Sequence, residues 1–233
     1  MARRITTGIS GVDEMIEGGL PAGSVTIVSG PPGVGKSTFA MQYLINGIEE
    51  HGENGVYITV EEKKEDVEKY SEGFGWKIRE YEKEGKLAIV TKRIHGTITG
   101  EEQDNLGKVV EEMKAKRIAL DSVTLFKYMY RDETSRRVNL LNFMNDVKDH
   151  GCTSLLIAEQ NNPRHRLEYS DEHFLSDGLF MLFWSAHKEK QERCFQVVKL
   201  RGSKINPDVR PMDITEDGVI VYPNQVPLSL SDE

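Results

Sequence analysis

A glycine-rich octapeptide near the amino terminus constrains the fold of this chain more than any other feature. Residues 30–37 read Gly-Pro-Pro-Gly-Val-Gly-Lys-Ser, which fits the phosphate-binding loop pattern G-x-x-x-x-G-K-[ST] at every required position. An apolar segment at residues 24–29 predicts a strand before the loop. Ala40, Leu44 and Ile48 predict one face of a helix that begins near Lys36. This order predicts an α/β fold that binds a nucleoside triphosphate.

The chemistry predicted for the loop follows from its residue types. Glycines let successive backbone N–H groups point at phosphate oxygens, and the helix amino terminus adds its partial positive charge. We predict that Lys36 reaches the β- and γ-phosphates and that the Ser37 hydroxyl ligates Mg²⁺. The alternative is a strand-to-helix turn that carries a lysine by chance. The predicted nucleotide-binding residues are Gly30, Pro31, Pro32, Gly33, Val34, Gly35, Lys36, Ser37 and Thr38.

Composition limits the remaining possibilities. With 233 residues, 38% of them hydrophobic, the chain can build one sizeable core, and we expect a single domain over residues 1–233. No apolar run is long enough for a membrane span or a signal peptide, so we expect a cytoplasmic protein. Cys152 and Cys194 lack metal-ligand spacing and are expected to be free thiols. The net charge of −8 disfavours non-specific attraction to nucleic acid.

Strand and helix patterns alternate along most of the chain. A parallel sheet with helices on both faces is therefore expected, with ligands at the carboxyl ends of its strands. Ser10 is the predicted N-cap of a short helix through Glu17, and Thr134 or Ser135 that of a helix to about His150. From Leu179 onward two hairpins predict an antiparallel extension. The other predicted strands cover residues 56–60, 87–90, 117–120, 154–158, 179–184, 193–200, 212–215 and 219–222, and the other predicted helices residues 64–74, 77–84 and 101–116.

Three carboxylates follow predicted strands at the ligand-facing edge. Asp121 closes an apolar strand and is the candidate Walker B residue that holds Mg²⁺ through its waters; the alternative is a turn cap. Glu61 and Glu62 follow the next strand after the loop-bearing helix, and one of them is the candidate catalytic base. Because neighbouring residues of an extended chain point to opposite faces, only one is expected to face the γ-phosphate. The alternative is an acidic helix start.

Two groups of cations are further candidate site residues. Lys199 and Arg201 lie two apart at a strand end, so both should project to one face, where they could neutralise a triphosphate. Spacing alone favours a solvated strand. A second group consists of Arg164, His165 and Arg166, with Arg131, Arg136 and Arg137 nearby. Nucleic-acid binding there is possible but not favoured, because few aromatic residues interleave with the charges.

Taken together, these residues resemble the KaiC-like ATPases of the RecA superfamily. The similarity covers nearly the whole chain and is more specific than the loop alone. The lead-in Arg-Ile-Thr-Thr-Gly-Ile, the Gly-Val-Tyr-Ile-Thr-Val-Glu-Glu run and the Lys-Leu-Arg-Gly-Ser run are typical of the family. The other matching segments are residues 20–24, 30–37, 120–124 and 174–177.

The resemblance implies a RecA-like core, ATP with Mg²⁺, and a ring, usually a hexamer, with nucleotide at each subunit interface. It implies that Glu61 and Glu62 are paired catalytic glutamates and that Glu159 matches a carboxylate after the fifth strand. It also implies that Lys199 and Arg201 reach the γ-phosphate of a neighbouring subunit. The chain departs from the family in having Ser203-Lys204-Ile205 where a histidine is common. The tandem domains of the clock protein and the Ser-Thr pair before Asp177 that is phosphorylated in its second domain are also missing.

Three functions fit these features. The leading hypothesis is a slow ATPase whose ring signals to a protein partner that the sequence does not identify. A recombinase-like or recombination-mediator ATPase that binds DNA is the second, disfavoured by the acidic balance and by the glutamate pair. The third is an ATP-gated scaffold that binds nucleotide with negligible turnover.

Overall fold

The computed structural model describes residues 3–91, 100–160, 169–187 and 190–230, apart from the side chains of residues 100–106 and 187. Most of its strands belong to one nine-stranded sheet, and two short strands pair separately. The eleven described strands are β1 (Arg4–Ile5), β2 (Leu20–Pro21), β3 (Val25–Gly30), β4 (Gly55–Thr59), β5 (Leu87–Thr91), β6 (Arg117–Asp121), β7 (Thr153–Glu159), β8 (Gly178–His187), β9 (Lys190–Leu200), β10 (Arg210–Thr215) and β11 (Gly218–Val221).

The order of strands in the large sheet explains where the site lies. The order is β11-β10-β9-β8-β3-β7-β6-β4-β5. The six strands from β8 to β5 in this order run parallel, whereas β9, β10 and β11 continue the sheet in antiparallel fashion. The loop-bearing strand β3 is thus central, and the carboxyl ends of β3, β7, β6 and β4 meet at one edge.

Helices cover both faces of this sheet. The α-helices are α1 (Lys36–His51), α2 (Lys64–Glu72), α3 (Ile78–Lys83), α4 (Gly100–Met113), α5 (Leu125–Met129), α6 (Glu133–Asp149) and α7 (Asp171–Leu175), and 3-10 turns span Asp13–Ile16 and Leu228–Leu230. Two apolar clusters form the core, one around Phe39, Tyr43 and Phe180 and the other around Phe126 and Phe143. None of the described helices has the length and apolar content of a membrane span.

Two predicted helix starts were wrong. Near the amino terminus the helix is only the 3-10 turn Asp13–Ile16, and Ser10 does not cap it. The Asp13 carboxylate instead accepts hydrogen bonds from the backbone N–H groups of Thr7 and Gly8, at 2.8 and 3.0 Å, and so fixes the preceding segment.

The N-cap of α6 is Asp132, whose carboxylate accepts a hydrogen bond of 2.7 Å from the N–H of Ser135. A carboxylate two positions earlier than the predicted threonine fulfils the same capping role. The short helices α5 and α7 were not predicted, because five residues do not show a helical period.

Candidate functional site

The phosphate loop joins the central strand β3 to α1. It has glycines where its backbone lies closest to neighbouring strands. A Cβ added to Gly30 would lie 2.1 Å from the carbonyl oxygen of Leu182 on the neighbouring strand. Gly35 has a φ of +110°, and a Cβ there would lie 2.6 Å from Ile214 Cδ1. Because side chains at both positions would collide, glycine is required for this path of the loop.

The floor of the site pairs the loop with the end of β6. The Ser37 hydroxyl donates a 2.6 Å hydrogen bond to Asp121 Oδ2, and the Lys36 ammonium donates a 2.9 Å bond to the carbonyl of Pro31. Lys36 is buried, which lowers its pKa, while Asp121, Glu159 and Glu61 act in the opposite direction. The structure therefore brings the loop cation, the loop hydroxyl and the strand-end carboxylate together.

A cavity of about 170 Å³ lies over this floor. Glu61, Glu62 and Glu159 line it with the loop residues, and Asp121 lines the same space. Sequence reasoning did not single out Thr59 and Ile157, which also line the cavity. Both lie at or near the carboxyl end of a parallel strand, and that position could have indicated them.

The expectation that Glu61 and Glu62 point to opposite faces was wrong. The last paired residue of β4 is Thr59, opposite Asp121, and the chain bends at residues 60–62. The strict alternation of a strand therefore does not apply to the two glutamates. The Glu62 backbone N–H donates to the Thr59 hydroxyl at 3.2 Å and stabilises this bend. Both carboxylates consequently line the same cavity.

The charges in the cavity perturb both glutamates. Partial burial raises the pKa of Glu61, and the carboxylates Glu159 and Asp121 raise it further, while Lys36 opposes them. Burial and Asp121 raise the pKa of Glu62, while a hydrogen bond from Tyr70 lowers it. A carboxylate with a raised pKa is a stronger base than an ordinary glutamate. The site can thus accept a proton from a water molecule held beside the loop.

The donor set at the floor also suits a divalent cation that prefers oxygen ligands. Mg²⁺ is usually held by one or two protein oxygens together with water and substrate phosphates. Ser37 and Asp121 supply such oxygens side by side. Within the described parts of the chain, no group of three or more His, Cys, Asp or Glu residues could hold a metal by itself.

Lys199 and Arg201 lie at the opposite edge of the sheet from the loop of their own chain. In the register of the sheet, Leu200 is level with Gly178, which pairs with Thr26 near the start of β3. Four residues of strand separate that level from Gly30, or about 13 Å along the strand. These two cations therefore do not join the cavity in which the other predicted site residues meet.

Backbone carbonyls hold both cations in place. Lys199 donates to the carbonyls of Ser176 and Phe174 at 2.7 and 3.4 Å, and Arg201 donates to that of Phe174 at 2.9 Å. Arg201 also lies 3.8 Å from the carboxylate of Asp177. Burial lowers the pKa of Lys199, and the neighbouring Arg201 adds to this effect. The two side chains thus lie together, partly exposed, beside α7.

The second basic group is not assembled by the described residues. Arg164, His165 and Arg166 lie outside them. Arg131 is exposed, and Arg137 on α6 forms an ion pair with Asp171 of α7. The nucleic-acid interpretation thus gains no support from the arginines that are described.

Comparisons with known proteins agree with this arrangement. The family model described as "ATPase: KaiC" matches residues 5–226. A UPF0273 protein of Pyrococcus furiosus is 32% identical over 97% of this chain and 96% of its own length. The circadian clock oscillator protein KaiC of Synechococcus elongatus is 31% identical over 94% of this chain, which spans 44% of that protein.

A solved structure is similar over nearly the whole chain. The crystal structure of a KaiC-like protein from the hyperthermophilic archaeon Pyrococcus horikoshii superposes with a TM-score of 0.86 at 33% identity. The match covers 96% of this chain and 100% of that one. The predicted fold, a mainly parallel RecA-like sheet between helices with antiparallel strands at its carboxyl-terminal side, is confirmed.

Proposed function

Because the chain belongs to the KaiC family of ATPases, we propose that it binds ATP with Mg²⁺ and hydrolyses it slowly at the interfaces of a homo-oligomeric ring, a hexamer by family resemblance. The observation that carries this proposal is the separation of the residues that are predicted to act in catalysis. The glutamates and the loop lie at one edge of the sheet, while Lys199 and Arg201 lie at the other. A site that uses all of them needs two copies of the chain.

Within one subunit the residues of the cavity have distinct tasks. The backbone of the loop and the Lys36 ammonium bind the phosphates, and negative charge close to Lys36 favours its protonated form. Ser37 and Asp121 would hold Mg²⁺, which would neutralise phosphate charge. One glutamate of the pair accepts the proton of the attacking water. The other carboxylate contributes its negative charge to the cavity.

The neighbouring subunit completes the site. Lys199 and Arg201 stabilise the negative charge that develops on the γ-phosphate and the leaving ADP. Apolar side chains beside these cations support an interface there. Phe174, the residue whose carbonyl holds both cations, is 57% exposed, and Tyr169, 47% exposed, has its ring 5.9 Å away. Burial of such rings between subunits would contribute to assembly.

A buried link between the loop strand and α7 supports a regulatory role for the ring. Ser29, directly before the loop, donates to Gln160 Oε1 at 3.0 Å, and its hydroxyl lies 3.1 Å from His173 Nε2. His173 and Phe174 are adjacent in α7. A change at the loop can thereby reach the carbonyl that holds the cations of the same subunit. We infer that the nucleotide state of one site is signalled to the next site and to a protein partner.

Steady-state hydrolysis and light scattering test the proposal together. ATP and Mg²⁺ should increase the mass of the particle and be hydrolysed, whereas Lys36→Ala should bind ATP about 10- to 100-fold more weakly, because a charged hydrogen-bond donor is lost. A Lys127→Ala control removes an exposed cation that pairs with Glu172 outside the cavity. A parent protein that neither assembles nor hydrolyses ATP would exclude this function and leave an ATP-gated scaffold.

A further inference from the structure

Two tyrosines connect carboxylates on the wall of the cavity. The Tyr57 hydroxyl donates to Asp121 Oδ2 at 2.9 Å, and the Tyr70 hydroxyl donates to Glu62 Oε2 at 3.3 Å. The two phenol oxygens lie 3.4 Å apart. Side chains from β6, β4, α2 and the segment after β4 thus form one continuous row from the floor of the site to Glu62.

The row contains more contacts than hydroxyl hydrogens. A phenol carries a single hydrogen that it can donate. Burial raises the pKa of Tyr57 and of Tyr70, so both hydroxyls keep their hydrogens at neutral pH. Three contacts therefore share two hydrogens. If Tyr57 donates to Asp121, the hydrogen of Tyr70 can serve either Glu62 or the oxygen of Tyr57, but not both at once.

The burial of the three residues shows which contact can be exchanged. Tyr57 is fully buried, Tyr70 is half-buried and Glu62 is exposed. A buried hydroxyl that loses its partner is costly, so Tyr57 is expected to keep its bond to Asp121. When the exposed Glu62 moves, Tyr70 can turn its hydrogen to Tyr57 and remain satisfied. The geometry makes the bond between Tyr70 and Glu62 easy to exchange.

The charges around Glu62 indicate what the hydrogen bond from Tyr70 does. Besides burial, the negative charges of Asp121, Asp66 and Glu61 raise the pKa of Glu62 and so disfavour its ionised form. Tyr70 is the neutral donor that offsets this effect on the same carboxylate. Without it, the exposed side chain of Glu62 would favour positions farther from the cavity.

We propose that Tyr70 is a positioning residue that holds Glu62 at the cavity, and that the Tyr57 oxygen accepts the hydrogen bond of Tyr70 whenever Glu62 moves away. The consequence for turnover rests on the proposed function, in which the glutamate pair serves hydrolysis. Tyr70 is not among the residues that line the cavity. It acts through Glu62, and its removal should therefore affect kcat rather than the binding of ATP.

Nuclear magnetic resonance of ¹³Cζ-labelled tyrosine tests the bond without any need for activity. The Tyr70 and Tyr57 resonances are assigned with Tyr70→Phe and Tyr57→Phe. Glu62→Gln should shift the Tyr70 resonance, and to a smaller extent that of Tyr57, while leaving Tyr81 unchanged. The matched control is Glu49→Gln, which replaces the carboxylate that accepts from the Tyr81 hydroxyl by a neutral amide far along α1 and should shift only Tyr81. A Tyr70 chemical shift that does not change in Glu62→Gln would overturn the proposal.

Kinetics test what the bond does. Tyr70→Phe should lower kcat about threefold to tenfold, as expected for one hydrogen bond, and leave the KM for ATP within about twofold. Tyr81→Phe should change neither. In a Glu62→Gln background Tyr70→Phe should add no further loss, and a loss that persists there would overturn action through Glu62. If the parent does not hydrolyse ATP, the proposed function fails, and the resonance comparison alone decides whether Tyr70 holds Glu62.

Discussion

The Ser37 hydroxyl donates a 2.6 Å hydrogen bond to Asp121 Oδ2, which joins the first turn of α1 to the carboxyl end of β6. The same oxygen accepts a 2.9 Å bond from Tyr57. Two donors thus fix the carboxylate at the floor of the cavity. A fixed oxygen next to a loop hydroxyl is suited to bind a small cation that requires octahedral coordination, such as Mg²⁺.

Asp121→Asn should raise the Mg²⁺ concentration needed for half-maximal hydrolysis by about tenfold or more, because a charged oxygen ligand is replaced by a neutral amide. The substitution preserves the size of the side chain, and the fold should be retained. The control is Asp208→Asn, which changes an exposed carboxylate that pairs with Arg210. The Mg²⁺ titration is followed by phosphate release. An unchanged half-maximal concentration in Asp121→Asn would assign the metal to other residues.

Glu61→Gln and Glu62→Gln should differ in their effects. The base should lose about 100-fold or more in kcat with ATP binding retained, whereas the other glutamate contributes through its charge and should lose less. Calorimetry measures binding and single-turnover hydrolysis measures the chemical step. Parent-like hydrolysis by both variants would exclude the pair and make Glu159, which lines the same cavity, the next candidate base.

Hydrolysis should also depend on pH with a defined sign. The base acts in its ionised form, and its pKa in the cavity is raised, so activity should be full at neutral pH and fall as the pH is lowered. The fall should begin at a higher pH than for an ordinary glutamate. This dependence is measured by plotting the logarithm of kcat against pH between about pH 4 and 8, with the metal kept at a saturating concentration. A profile that is flat down to the ordinary glutamate range would contradict the role of the pair.

The core provides a test of the packing that supports the site. On α1, a Cβ added to Gly47 would lie 2.3 Å from Nε of Arg117, which is fully buried and paired with Glu53 at 2.8 Å. Although alanine usually stabilises a helix, overpacking here should lower the free energy of unfolding by about 1–3 kcal/mol. Gly107→Ala on α4 is the control, since its nearest neighbour is the end of the His150 side chain at 3.2 Å. Urea unfolding measures both. Equal midpoints for the two variants would refute the predicted clash.

The sequence predicted most of the fold and the floor of the site, because both depend on local patterns. The loop and the strand-end position of Asp121 suffice to place Ser37 next to that carboxylate. The facing of Glu61 and Glu62 could not be predicted in this way, since it depends on where pairing between β4 and β6 stops. The contact between Tyr57 and Tyr70 could not be predicted from the sequence either, because it depends on how α2 packs over the sheet.

The trans site makes one further prediction about mixtures. Lys199→Ala with Arg201→Ala should bind ATP but hydrolyse it poorly, because the neutralising cations for the neighbour are lost. Glu61→Gln with Glu62→Gln should be inactive for the opposite reason. Each double variant keeps the half of the site that the other lacks. In a mixed ring an intact glutamate site can therefore face intact cations.

Mixing these two double variants and measuring phosphate release tests the division of the site between subunits most directly. If subunits assemble at random from equal amounts, about a quarter of the interfaces combine both intact halves, and activity should recover toward that fraction of the parent rate. Each double variant alone, at the same total concentration, sets the baseline. Recovery well above that baseline is the result that hydrolysis across the interface predicts. Mixtures that exchange subunits yet never exceed the baseline would contradict it.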